Sequence, residues 1–284
     1  CVRFTEEVSK TNELGIFNRG DRSEIGTFEG KPLDNNYSLN TVDICPVGAL
    51  TSKDFRFRQR VWFLKESETI CTGCSTGCNV KVYHNKEGMF RVKPVYNAEV
   101  NGYWMCDKGR DIYKYVNKEH RLLDARISHA EKNEYVMPAL AAKKVGEALR
   151  ASKSTPKSLA LVITGQYTVE ELDAMVAYFK KDLGCDQIYH WMNSPEKKDD
   201  FDGLLLRGDR NPNTKGLLEV FAKHQVTSQW SELEAGLNSQ TIQTLVVAGP
   251  ENYAVFSDVA EKASLFAKAK HLVWLTACKN QALE

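Results

Sequence analysis

The sequence predicts an α+β amino-terminal region followed by an α/β region, and three features carry that prediction. Six of the eight cysteines fall within the first 106 residues, three of them within eight consecutive positions. Residues 1 to 52 are rich in Gly, Asn and Asp, as in Arg19-Gly20-Asp21 and Asp34-Asn35-Asn36, and show little helical periodicity. Such a stretch reads as loops and short turns held together by something else. From about residue 138 strand and helix patterns alternate, the signature of a parallel sheet with helices on its faces. The 284 residues suffice for about two domains of ordinary size. The chain divides into segments 1–54, 55–120 and 121–284.

Composition narrows the function. Hydrophobic residues at 42% and charged residues at 26% support a sizeable core. Lys+Arg 38 against Asp+Glu 37 leaves a net charge of +1, which argues against a protein that coats nucleic acid. No apolar run approaches the ~20 residues of a membrane helix, and no charged-then-apolar signal segment opens the chain. The chain starts at Cys1 rather than Met, as a processed protein or a fragment would. Close Cys-x-x-Cys spacing in a long chain points to metal or redox chemistry and to a reducing, cytosolic compartment.

The elements follow in order. Phe55-Arg56-Phe57-Arg58 alternates and runs into Val61 to Leu64, which predicts a strand with one solvated face. Short strands are expected at Val80 to His84 and Met89 to Lys93. Leu159 to Ile163 reads as a buried strand ending at Thr164-Gly165. Thr168 to Glu171 is a capping box. The helix it opens should bury Val169, Leu172, Met175, Val176, Phe179 and Leu183 and stop at Gly184. Further strands are expected at Ile188 to Trp191, Leu245 to Ala248 and His271 to Leu275. Helices are expected over Thr214 to Lys223, Ser228 to Leu237 and Ser257 to Ala269.

The strongest chemical pattern is Cys71-x2-Cys74-x3-Cys78-x27-Cys106. Three thiolates on one loop can grip three corners of a metal cluster, and a distant fourth closes the site. Gly73 and Gly77 supply backbone freedom where amides fold around sulfur. Cubane iron–sulfur clusters take four cysteine thiolates. Four-cysteine zinc is the competing reading, although zinc ribbons carry two separate Cys-x2-Cys knuckles and the distribution here is three plus one. Cys45-Pro46 is a second, weaker signal, because a Cys-Pro closes ferredoxin-type motifs. Cys185 and Cys278 lie beside strands and read as core thiols. No Gly-x-Gly-x-x-Gly opens a helix, no His-Glu-x-x-His occurs, and no Ser/His/Asp or Cys/His set can be argued. His84 reads as a surface residue.

Taken together, Cys1-Val2-Arg3-Phe4, Arg19-Gly20-Asp21, Glu24-Ile25-Gly26, Asp43 to Thr51, the cysteine quartet, Trp104 to Arg110 and Asp202-Gly203-Leu204 to Thr214 resemble the G-subunit family of bacterial NADH:quinone oxidoreductase, complex I. The resemblance implies an iron–sulfur electron-transfer subunit of the peripheral arm, carrying electrons from NADH and flavin toward quinone. It implies a partial ferredoxin-like iron–sulfur domain over 1–54, a 4Fe-4S domain over 55–120, and an incomplete α/β domain like that of molybdopterin oxidoreductases over 121–284. The family's first clusters have no ligands here. Cys1 resembles the third ligand and Cys45 the fourth of a second 4Fe-4S cluster, so that site would be incomplete. Cys71, Cys74, Cys78 and Cys106 resemble the ligands of a complete 4Fe-4S site off the main electron path. On this reading the chain is truncated at both ends.

The implied partners are the other complex I subunits, including the flavin- and NADH-binding one, with no nucleic acid and no membrane span of its own. The implied location is the cytoplasmic face of the inner membrane, held there by partner subunits. Outer-sphere electron transfer would leave the protein to tune its cluster through amides near Gly73, Gly77 and Gly109 and the charge of Lys108. A molybdenum-dependent, NAD-linked formate dehydrogenase is the alternative, in which a Lys at the Lys108 position lies between cluster and pterin. A zinc-binding scaffold is the third.

Overall fold

The computed structural model describes residues 1–117, 121–129, 132–193, 201–251 and 256–279. The chain forms two compact units, Cys1–Asn117 with Asp199–Gly208, and Lys118–Lys198 with Asp209–Glu284.

In the first unit the turn-rich start is more regular than its composition predicts. A π-helical turn covers Phe4–Val8. Strands β1 (Leu14–Phe17) and β2 (Glu24–Thr27) pair antiparallel, with Gly15 opposite Gly26. Gly15 lets the Phe28 ring lie close over β1, since a Cβ there would stand 2.6 Å from the ring and push it aside. A short helix, α1 (Leu39–Ile44), follows. These elements are too short to show a period in sequence, and side chains hold them instead: Asn35 donates to the Glu13 carboxylate at 2.7 Å.

The expected strand over Phe55 to Leu64 does not form. Residues 55–58 make a turn, Val61–Phe63 is a 3-10 turn, and β3 starts at Lys65 (Lys65–Ile70). The alternation of Phe and Arg misleads because Phe57 and both neighbouring arginines face solvent, and Phe57 adopts a φ of +63°, which no strand residue does. The two strands expected next are present as β4 (Asn79–Asn85) and β5 (Gly88–Pro94), and β3-β4-β5 form an antiparallel meander. Two single-turn helices, α2 (Asp107–Arg110) and α3 (Tyr113–Val116), close this part.

The second unit begins with a hairpin, β6 (Ala125–His129) and β7 (Lys132–Val136), then α4 (Pro138–Ser152), which enters on proline at its first position. Next come β8 (Leu159–Ile163), α5 (Val169–Ala177), β9 (Ile188–His190), α6 (Thr214–Lys223), α7 (Trp230–Asn238), β10 (Thr244–Ala248), α8 (Val259–Phe266) and β11 (His271–Leu275). The four strands of the sheet run parallel in the order β11-β10-β8-β9. Every residue of β8 and β10 is buried, as central strands of a two-faced sheet must be. Period-two alternation sorts them: Leu159, Leu161 and Ile163 pack with α5 and α6, whereas Ala160 and Val162 pack with α7 and α8.

Thr168 and Glu171 form the expected capping box: the Thr168 hydroxyl accepts from the Glu171 amide at 3.3 Å, and the Glu171 carboxylate accepts from the Thr168 amide at 2.9 Å. Val169 is not in the core. It stands at the first position of α5 and is 45% exposed. Cys185 and Cys278 are buried, and the Cys185 thiol donates to the Leu159 carbonyl at 3.1 Å. Among the described residues no helix is long and apolar enough to cross a membrane.

Candidate functional site

Cys71, Cys74, Cys78 and Cys106 are each 4–6% exposed and occupy one region of the first unit. The loop between β3 and β4 carries the first three. It is closed by the Cys71 amide donating to the Cys78 carbonyl at 2.8 Å, and Gly77 turns it with a φ of +65°. Cys106 caps the start of α2. The Gly109 amide donates to its sulfur at 3.3 Å, and the Gly73 amide donates to the Cys71 sulfur at 3.4 Å. Gly109 is where two parts of the motif meet: a Cβ there would stand 3.1 Å from Cys71 Sγ and 3.5 Å from Cys106 Sγ.

Cys71, Cys78 and Cys106 pack with Val80, Val82, Val92 and Met105 in an apolar cluster. Burial pushes the Cys71 and Cys78 thiols up to about 12, and the neighbouring cysteines add to the shift. The expectation of a complete 4Fe-4S site is corrected: among the described residues no group of three or more Cys, His, Asp or Glu could hold a metal ion. The finding bears equally on zinc. Spacing along the chain brings the four sulfurs into one pocket, but the pocket is packed as hydrophobic core and does not fit a cluster.

The second, incomplete cluster fares no better. The Cys1 thiol points to the Thr41 carbonyl at 3.8 Å, and among the described residues neither Cys1 nor Cys45 belongs to a group of three or more possible metal ligands. Cys45 instead sits in a turn whose amides, Leu50 first and then Val47, hold its thiol below the usual range. Lys108 is exposed, with its side chain directed to solvent. Brief alkylation with iodoacetamide at pH 7.5 should therefore modify Cys45 before Cys71 or Cys78, as read by peptide mass spectrometry. Equal rates at the three would contradict this burial and amide pattern.

Three groups of residues that sequence reasoning missed hold the pocket. Asp107 accepts from the Ser38 hydroxyl at 2.6 Å and from the Leu39 amide at 3.1 Å, which ties α2 to the start of α1. Burial raises its carboxyl, and the Ser38 hydroxyl opposes the shift. Arg110, 6% exposed, pairs with Asp43 at 2.7 Å and donates to Asn40 Oδ1 at 2.9 Å. Asn40 in turn donates to the Met105 carbonyl next to Cys106 at 2.9 Å.

The last group is a strap from far along the chain. The buried Tyr37 hydroxyl donates to Asp202 at 2.6 Å and accepts from the Leu205 and Leu206 amides at 3.0 and 2.9 Å. Thr76, inside the cysteine loop, donates its hydroxyl to the Leu205 carbonyl. Leu205 and Leu206 thereby join the apolar cluster that contains Cys71, Cys78 and Cys106. Asp202-Gly203 is the available signal, an Asx-type turn whose side chain accepts from the Leu204, Leu205 and Leu206 amides. Tyr37→Phe should cost about 1–3 kcal/mol, the loss of a buried hydrogen-bonded hydroxyl, in urea unfolding. It should also speed alkylation of Cys71 and Cys78, and unchanged protection would separate the strap from the thiols.

Comparison with known proteins agrees with this layout. Residues 1–51 match the family model for the ferredoxin-like domain of NADH-quinone oxidoreductase subunit 3, and residues 64–118 match the molybdopterin oxidoreductase Fe4S4 domain. The chain is 38% identical over 131 residues to the G subunit of the NADH-quinone oxidoreductase of Streptomyces coelicolor, covering 46% of this chain and 16% of that protein. It is 41% identical over 131 residues to the mitochondrial NADH dehydrogenase [ubiquinone] iron-sulfur protein 1 of Solanum tuberosum, covering 46% of this chain and 18% of that protein. With the corresponding G subunit of Rickettsia bellii the identity is 30% over 190 residues, 66% of this chain and 27% of that protein. The chain thus spans well under a third of the length of these relatives.

A ferredoxin-like segment followed by an Fe4S4-type domain and a parallel α/β unit defines an oxidoreductase-subunit architecture. The chain is similar, over these segments, to G subunits of NADH-quinone oxidoreductases.

Proposed function

We propose that this chain works in the peripheral arm of an NADH:quinone oxidoreductase, as part of the subunit that carries electrons from NADH and flavin toward quinone. The observation that carries the reading is the order of two family matches on one chain, residues 1–51 and then 64–118. The first match separates this reading from a molybdenum-dependent formate dehydrogenase, because its description belongs to an NADH-quinone oxidoreductase subunit. The functional segments are 1–54, 55–120 and 121–284. Cys71, Cys74, Cys78 and Cys106 are the site residues of this reading through their place in the Fe4S4-type segment, with Cys1, Cys45 and Lys108 as accessory positions.

The chain's own chemistry is a dry four-sulfur pocket with backbone amides aimed at two of the sulfurs. The Gly73 amide lowers the Cys71 thiol, but burial in the apolar cluster outweighs it. The proposed partners are the other arm subunits, the flavin- and NADH-binding one among them, on the cytoplasmic face of the inner membrane.

The test is co-expression with the remaining arm subunits, followed by purification of the arm and assay of NADH-dependent quinone reduction. The reading expects the chain in a fixed ratio to its partners and activity that depends on its presence. Failure to co-purify, or formate-dependent NAD reduction with molybdenum bound to the chain, would overturn it.

A further inference from the structure

One surface of the first unit is left unexplained by the pocket. Between Phe55 and Leu64 the chain exposes Phe57 at 92%, Trp62 at 72%, Phe63 at 62% and Val61 at 47%. Exposed aromatic and aliphatic side chains at this density, so close in sequence, mark an interaction surface rather than ordinary scatter.

The segment is built to present them. Phe55 anchors one end, its ring 4.3 Å under the Arg91 guanidinium. Backbone bonds from the Arg56 amide to the Ser52 carbonyl at 2.9 Å and from the Leu64 amide to the Val61 carbonyl at 3.0 Å fix the two turns. Phe57, the most exposed of the four, is held at a φ of +63°. A bulky residue in the left-handed region is strained, and such strain concentrates at functional positions. Nothing in the fold of this unit uses the Phe57 ring as core.

The charges on the same segment identify the occupant. Arg56, Arg58 and Arg60 interleave with the apolar residues, and among the described residues none of the three forms an ion pair with a carboxylate. The nearby Asp54 and Asp111 are both taken by Lys114, at 2.7 and 2.8 Å. Arg56 stacks over Phe57 at 4.8 Å, and Arg60 lies 5.7 Å from the Trp62 ring. Trp, Phe and Arg together are the composition of protein interfaces, where the aromatic fills a pocket and the guanidinium meets a carboxylate. A net charge of +1 over the chain supplies no field to hold a nucleic acid. The segment is two short turns rather than an amphipathic helix able to lie in a lipid interface.

We infer that residues 56–63 dock this chain onto an acidic protein surface that offers apolar pockets for Phe57 and Trp62. The inference rests on the reading that the chain works inside a multisubunit arm, and its partner is then another subunit of that arm.

The test measures binding of the full chain to the peripheral-arm subcomplex purified without this subunit, at low and high salt. Two variants are compared with the unmodified chain: the triple charge reversal Arg56→Glu, Arg58→Glu and Arg60→Glu, and separately Phe57→Gly. Glycine suits the left-handed backbone, so the second variant should melt no lower than the parent. The charge reversal should weaken binding by about 30-fold or more, mostly through the association rate, and Phe57→Gly by about tenfold. A benzophenone side chain at position 62 should cross-link to an acidic segment of the partner.

Parent and variants binding alike would overturn the docking surface while leaving the functional reading intact. A parent chain that does not join the arm at all would overturn both. Capture by phosphatidylglycerol vesicles with a blue-shifted Trp62 would overturn the protein partner in favour of lipid. Cross-linking only to a second copy, or to another segment of the same polypeptide, would overturn it in favour of self-contact.

Discussion

Arg110→Ala should lower the stability of the first unit by about 3–5 kcal/mol, the usual cost of removing one partner from a buried ion pair. The guanidinium is almost fully enclosed, 2.7 Å from Asp43 and 2.9 Å from Asn40 Oδ1, with Asp107 at 3.9 Å. Without it, Asp43 keeps Lys93 at 2.9 Å, but Asn40 loses the cation that orients it toward the Met105 carbonyl. The effect should therefore reach Cys106, one residue on. Urea unfolding gives the energy, and the alkylation rate of Cys106 below the unfolding transition gives the local consequence. A loss under about 1 kcal/mol, within the range of exposed pairs, would mean that the network contributes no more than a surface ion pair.

Trp191→Ala should destabilise the second unit by about 3–5 kcal/mol, as large-to-small changes of a buried aromatic do. Trp191 is 1% exposed and meets Phe256, Phe266 and Trp274 edge-on at centroid distances of 5.3, 5.5 and 6.1 Å. Its indole N–H donates to Asp258 at 3.2 Å, so the substitution also strips a carboxylate of a partner. Trp191→Phe keeps most of the packing and loses the hydrogen bond, and should recover more than half of the energy. The check is thermal or urea unfolding followed by near-ultraviolet circular dichroism. Equal losses for Ala and Phe would assign the energy to the hydrogen bond rather than to the ring stack.

The two regions are unequally legible in sequence. In the second unit the buried strand at Leu159 to Ile163, the capping box at Thr168 and the helix at Thr214 to Lys223 stand where local pattern puts them. Each is specified by residues within one or two turns of itself. The hairpin β6–β7 and helix α4 give no such signal, since their apolar positions are few: α4 buries only Leu149 and Ser152. The first unit is harder to read for the opposite reason. Its elements are four to seven residues long and are held by distant side chains, such as Asp107 on the start of α1 and Asn35 on Glu13.

Phe55 to Leu64 shows how a local pattern fails. Alternation of Phe and Arg mimics a half-buried strand only when something covers one face, and among the described residues no strand pairs with residues 55–58. Val169 fails more mildly, because helical periodicity says which residues share a face but not whether the first turn reaches the core.

The sequence by itself determined the α/β character of the second unit, which follows from hydrophobic period and is local. Only the tertiary structure decided what the four-cysteine pocket is. Sulfur–sulfur geometry and thiol ionisation depend on what packs around them. Here Val80, Met105, Leu205 and Leu206 close over the cysteines, and the strap that delivers the two leucines is latched by Tyr37, more than 160 residues away in sequence. Burial pushes the Cys71 and Cys78 thiols up, a consequence of three-dimensional packing that no spacing rule contains.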